Sequence, residues 1–170
     1  MKSPPSYVLD TNTILDLYFG GILEEIFKLP CFFVVTDLLT NELRHPPFGT
    51  LVKLGLHVEP LTSAEVGEIT DVLEEYPKPS YQDISVLVLA RSRKTILITG
   101  DMDLRHVAMA LGVDCYGTCW LIDFLANQQI ITFSEAIEAY ELIRKKPRYP
   151  PKEECRNLLS QWKRNQKLFD

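Results

Sequence analysis

Short runs of almost unbroken apolar residues alternate along the chain with segments in which apolar positions recur every three to four residues. The runs YVL (7–9), FFVV (32–35), LHVEPL (56–61), TILIT (95–99) and VDCY (113–116) predict strands. Several lack the polar alternation of a half-exposed strand, as expected where both faces of a parallel sheet are covered. Helical spacing is predicted over Thr13–Phe19, where Ile14, Leu17 and Tyr18 share a face, and over a short second segment from Ile22 to Leu29. Further helices are predicted for TDLLTNELRH (36–45), ended by Pro46-Pro47, and for TSAEVGEITDVLEEY (62–76), with Thr62 or Ser63 as N-cap. YQDISVLVLARSRK (81–94) follows the breaker PKPS, and DLRHVAMALG (103–112) closes on a C-cap glycine. This order predicts an α/β fold, one parallel sheet with helices on both sides.

After Tyr116 the pattern is helical only: TCWLIDFLANQQ, FSEAIEAYELIRKK and, beyond PRYPP (147–151), KEECRNLLSQWKRNQK. The apolar residues Trp120, Leu121, Phe124 and Leu125 suit packing onto the domain's own sheet, or a homodimer or other protein partner. At 170 residues the chain is read as one domain. No apolar run reaches a membrane span, and the N-terminus MKSPPSYVLD has no signal-peptide core, so a cytoplasmic protein without membrane contact is expected. Cys31, Cys115, Cys119 and Cys155 form no zinc pattern and are expected as reduced thiols packed like small hydrophobes.

Charge changes the picture more than composition does. Residues 144–170 hold nine Lys/Arg against three acids, a net +6, whereas residues 1–143 hold nine against twenty, a net −11. An acidic body with a basic end fits an acidic site beside a polyanion-binding surface; a solvated basic helix accounts for the charge equally well.

The acids have suggestive places. In open parallel sheets, ligands bind beyond the carboxyl ends of strands. The first strand there delivers Asp10, and TILIT runs into GDMD, which delivers Asp101 and Asp103. Glu42 shares a predicted helix face with Leu38 or Leu39, and Asp83 opens one of the most apolar helices. Singly, each has a structural explanation: Asp83 and Asp101 suit helix caps, and Ser80 is a rival cap. Together they repel, by roughly 4 kcal/mol per pair at about 4 Å and an effective dielectric near 20, which calls for protons or a cation. Oxygen donors without His or Cys suit Mg²⁺ or Mn²⁺, which can activate water against a phosphodiester. His45, His57 and His106 have no evident catalytic partner.

The ordered fragments VLDTN, NEL, YQDISVLVLA and ILITGDMDLR resemble the PIN-domain nucleases, including VapC-like toxins, from about Tyr7 to Tyr116, and GTCWLIDFL is similar to the segment that follows in many members. The resemblance implies a PIN-like three-layer α/β/α sandwich around about five parallel strands, with residues 1–130 as the nuclease domain and 131–170 as a helical C-terminal extension packed on it. It implies that Asp10, Glu42, Asp83 and Asp101 are the catalytic, metal-binding quartet, that Asp103 is an additional metal-binding acid, and that Asn12 and Thr99 are supporting polar residues. The implied activity is Mg²⁺- or Mn²⁺-dependent cleavage of RNA, with an antitoxin as partner if the chain is a toxin. The extension from about Phe133 exceeds the most compact toxins. Arg105, Arg91, Arg93 and Lys94 are candidates for RNA contact, although the last three also suit a helix C-terminus.

Two other readings stay in view. A haloacid-dehalogenase-type phosphatase also begins with a strand ending in Asp, but it needs a second Asp where this chain has Asn12. A PIN-like binding or assembly module of little activity has no reason to retain five converging acids.

Overall fold

The structure, a computed structural model, describes residues 4–146 and 152–169. Five parallel strands, β1 (Ser6–Leu9), β2 (Phe32–Thr36), β3 (Leu56–Glu59), β4 (Ile96–Ile98) and β5 (Cys115–Tyr116), form one sheet in the order β3-β2-β1-β4-β5. Val8 of central β1 is in register with Val34 on one side and Leu97 on the other. The chain builds outward from β1 to β3, then returns to add β4 and β5 on the opposite side. The order therefore reverses between β1 and β4, the position where such sheets open a crevice at their carboxyl edge.

Helices cover both faces. α4 (Tyr81–Arg93) lies against β1, β2 and β4, and α3 (Ser63–Glu75) packs on its outer side. Ile84 to Ala90 are buried without interruption, as befits a helix enclosed between sheet and neighbours. Across the sheet, Tyr7 of β1 meets Trp120 and Phe124 of α6 (Thr118–Asn127), and Leu121 and Leu125 are fully buried. Those apolar residues of α6 thus face the interior. α1 (Thr11–Phe19), α7 (Phe133–Ile143) and α8 (Lys152–Phe169) complete that layer. Trp162 of α8 is buried, donates its indole N–H to Asp123 of α6 at 2.8 Å and meets Tyr140 of α7 edge-on.

The departures from expectation are local. Residues 36–45 form no α-helix: a 3-10 turn covers Asp37–Asn41, and the following helix, α2 (Phe48–Leu54), was not foreseen. Pro46 and Pro47 cannot continue a helix and instead lead into a new one. Ile22–Leu29 is likewise a 3-10 turn over Glu24–Lys28. On α1 the buried side comprises Thr13, Ile14, Asp16 and Leu17, while Tyr18 is exposed. α5 (Met102–Ala110) ends as expected near Gly112, which takes φ +70° just beyond the cap. The PRYPP segment lies outside the described residues.

The expectation of four reduced cysteines is corrected. Cys119 of α6 and Cys155 of α8, 36 residues apart in sequence, are joined by a disulfide with Cα atoms 5.5 Å apart. Folding back of α8 onto α6 creates this proximity, and no local spacing could announce it. Cys31 and Cys115 are free and half-buried.

Candidate active site

The site grows from the reversal between β1 and β4. β1 ends at Leu9, and Asp10 turns the chain into α1 as its N-cap, accepting a hydrogen bond from the Thr13 N–H at 2.7 Å. On the neighbouring strand end, the Thr99 hydroxyl donates to the other carboxylate oxygen of Asp10 and accepts the Asp101 N–H at 3.0 Å. Thr99 therefore ties the two aspartates delivered by adjacent strands. Asp10 is buried (1% exposed), and burial raises its pKa from 3.8 to about 6. The hydrogen bonds from Thr13 and Thr99 oppose that rise, and the charge of Asp83 adds to it.

The other acids arrive by separate routes. Asp101 caps α5, its Oδ1 accepting the Leu104 N–H at 3.0 Å. Asp83 and Ser80 form a reciprocal capping box at the start of α4, Asp83 Oδ2 accepting from the Ser80 N–H at 2.9 Å and hydroxyl at 2.7 Å. The two cap candidates thus act together. Glu42 follows the 3-10 turn and accepts the Thr11 hydroxyl at 2.9 Å. Asp103 faces Lys78 at 3.4 Å on the exposed rim.

These segments enclose a cavity of about 860 Å³. Asn12, Glu42, Asp83, Asp101 and Asp103 line it, and among the described residues no Lys or Arg does. Asp10 and Thr99 do not line it but directly precede Thr11 and Gly100, which do. Asp16 and Met102 are among the cavity-lining residues that escaped the sequence reading. Asp16 is buried and accepts the Thr118 hydroxyl at 3.2 Å; the available signal was an acid among the apolar positions of α1. Met102 lines the cavity while half exposed, and nothing in the sequence marks it.

The donor set suits an oxygen-seeking cation, being carboxylates, hydroxyls and an amide without His or Cys. Among the described residues, no three acidic side chains are gathered as a closed metal-holding group. Asp83 caps through Oδ2 and Asp101 through Oδ1, so each keeps one carboxylate oxygen outside its cap. That arrangement leaves oxygens for a cation that retains several of its waters, the usual habit of Mg²⁺.

The basic candidates are placed elsewhere. Arg91 pairs with Glu68 at 2.8 Å, and Arg93 with Glu59 and Glu65, both at 2.7 Å. With Lys94, these residues occupy the end of α4 opposite Asp83, about 12 Å or more along the helix axis. Arg105 donates Nε–H to the Thr99 carbonyl at 2.8 Å, and its two terminal nitrogens lie 3.3 Å from Glu154 of α8. Gly117 makes room for this guanidinium: a Cβ there would stand 2.1 Å from Arg105 Nη2.

The DUF3368 family model, a PIN domain, matches residues 6–164. No curated protein matches the chain. Among solved structures it is similar to a PilT N-terminus domain protein from the archaeon Sulfolobus solfataricus P2, at 15% identity and TM-score 0.43, over 68% of this chain and 89% of that one. It is also similar to VapBC2 from Rickettsia felis, solved bound to a DNA fragment from the promoter, at 16% identity and TM-score 0.46, over 66% of this chain and 98% of that one.

Proposed function

Because the chain belongs to the PIN-domain family, whose members are generally nucleases, we propose that it is a Mg²⁺- or Mn²⁺-dependent endoribonuclease. The observation that carries this reading is the juxtaposition of Asp10 and Asp101 through Thr99 at the sheet's reversal, beside a cavity lined by further acids and, among the described residues, by no basic side chain. Asp10, Asp83 and Asp101 would hold the cation, with Glu42 and Asp103 acting directly or through water. When bound, such a cation supplies a nucleophilic water at neutral pH and offsets charge at the scissile phosphate.

The protein's own contribution is positioning. Thr99 fixes the Asp10 carboxylate through its hydroxyl and the Asp101 backbone through the same oxygen, so one side chain sets the spacing of two ligands. The caps on α1, α4 and α5 hold the acids on rigid helix starts, which limits the reorganisation needed during reaction. Asn12, on the cavity wall, offers an uncharged donor and acceptor for water or a phosphate oxygen. Restraint by a small antitoxin-like protein, in a toxin–antitoxin pair, is the biological corollary of this reading.

Purified Asp10→Asn and Asp101→Asn chains should lose Mn²⁺-dependent cleavage of RNA while keeping the native circular dichroism spectrum. Undiminished cleavage by the double variant would sink the proposal. One observation favours a second reading, a binding module of little activity: no closed three-acid group exists among the described residues. Calorimetric titration with Mn²⁺ separates the two, since the module requires no binding at the acids.

A further inference from the structure

The described basic residues of α8 do not line the cavity. Within α8, Arg156, Lys163, Arg164 and Lys167 are exposed, and none forms an ion pair with a described residue. At about 100° per residue, Arg156, Lys163 and Lys167 fall within an arc of about 40° along one side of the helix. They span roughly 16 Å of its length. Glu153 and Glu154 fall outside that arc, and no apolar side chain interrupts it. The packed side of α8, carrying Cys155 and Trp162, lies next to the stripe.

The helix that carries the stripe starts beside the site, with Glu154 on the side opposite the stripe. Cys155 is bonded to Cys119 at the start of α6, and Glu154 meets Arg105, whose Nε–H holds the Thr99 carbonyl. The first turn of α8 is thereby fixed to the strand end that presents Asp101. The far end of the helix meets the start of α7, where Gln166 donates to Ser134 at 2.8 Å. Several cations of the body are already engaged: Lys78 with Asp103, Arg91 with Glu68, Arg93 with Glu59 and Glu65, Arg105 with Glu154. A polyanion approaching an acidic cavity needs cationic contacts outside it, and α8 supplies a linear set.

We propose that this stripe is the docking track for the backbone of a single-stranded RNA substrate, guiding it to the cavity; the inference rests on the ribonuclease reading above. Backbone contact of this kind is independent of base sequence and weakens steeply with salt. The full chain carrying Asp10→Asn, kept in EDTA, allows binding to be read without cleavage. The probe is a 5′-fluorescein-labelled 20-nucleotide RNA of mixed sequence, followed by anisotropy from 50 to 200 mM salt. Removing three phosphate contacts with Arg156→Gln, Lys163→Gln and Lys167→Gln should make the salt slope shallower by about 2, at roughly 0.7 per contact. Over that range the triple variant should lose about 20-fold less affinity than its parent. Arg91→Gln with Lys94→Gln, at the far end of α4, should leave the slope unchanged.

Unaltered slope and affinity in the triple variant overturn the track, whether the stripe then serves an acidic protein or solvent alone. An equal effect from the α4 pair, or no salt-dependent RNA binding by the parent, overturns it too. Binding here is read without cation or turnover, so failure of the track and failure of the ribonuclease reading are separate results.

Discussion

Replacing Asp10 with Asn should stabilise the protein above pH 6, in the absence of divalent cation, although the residue caps a helix and is fully buried. Burial raises the Asp10 pKa from 3.8 to about 6. At about 1.36 kcal/mol per unit, the carboxylate costs the folded state about 3 kcal/mol once both folded and unfolded forms are ionised. The sign follows from proton binding. Between pH 3.8 and 6 the folded state holds a proton that the unfolded state has released, so wild-type stability falls as pH rises through that window. Below it the cost is absent; above it the cost is complete. Asn carries no charge and removes the pH-dependent part. Its carbonyl can still accept from the Thr13 N–H, while its amide fits the Thr99 hydroxyl less well, a loss of about 1 kcal/mol. The expected net gain is about 2 kcal/mol at pH 8, reversing to a loss of about 1 kcal/mol at pH 4. Urea denaturation of both chains in EDTA at pH 4, 6 and 8 measures it. A uniform destabilisation by Asp10→Asn at all three pH values would refute the reasoning, because it would mean that the buried carboxylate is not strained by its own charge.

The remaining predictions concern the scaffold. Glu65 closes the capping box on Thr62 and meets Arg93; burial raises its pKa, but the Thr62 backbone, Ser92 and Arg93 outweigh that and bring it down to about 2. Its stabilisation, about 2–3 kcal/mol, is present above pH 4.5 and is lost as pH falls through about 2, so Glu65→Gln should destabilise at pH 7 and progressively less during acid titration. Gly117→Ala should cost about 1–3 kcal/mol by displacing Arg105, and that cost should largely vanish in an Arg105→Ala background, a coupling that a double-mutant cycle by thermal denaturation would read. Cys155→Ser opens a cross-link spanning 36 residues and should cost about 2–4 kcal/mol, whereas a change within a few tenths in urea would show that packing of Trp162 alone holds α8.

How much of this could be read from residues alone depended on whether the signal was periodic or tertiary. The five strands were legible because each is an apolar run bounded by turn residues, and their buried character announced the parallel sheet. Asp10 stood out because it directly follows such a run, and Asp101 because it follows one after a single glycine. What no spacing could show was the strand order that makes β1 and β4 neighbours, and hence the bridge through Thr99. Residues 36–45 misled because Leu38, Leu39 and Leu43 imitate helical spacing in a stretch that folds only as a short 3-10 turn over Asp37–Asn41. Asp16 was hidden by the opposite problem, a polar residue on a face assigned from its apolar neighbours alone. The disulfide was beyond reach because two helices separated by 36 residues must first fold together. The partners of Arg91, Arg93 and Arg105 were invisible for the same reason, and those pairings redirect attention from α4 to α8.

The central claim is that the acids around Asp10 hold a divalent cation that cleaves RNA. Single-turnover cleavage of a labelled RNA, with Mn²⁺ titrated into wild-type and Asp10→Asn chains at pH 8, tests it most directly. The account predicts cleavage by wild type that rises with Mn²⁺ and is abolished by EDTA, and none by Asp10→Asn, even though that chain is the more stable of the two. Cleavage by Asp10→Asn at the wild-type rate, or wild-type cleavage indifferent to Mn²⁺ and EDTA, would contradict it.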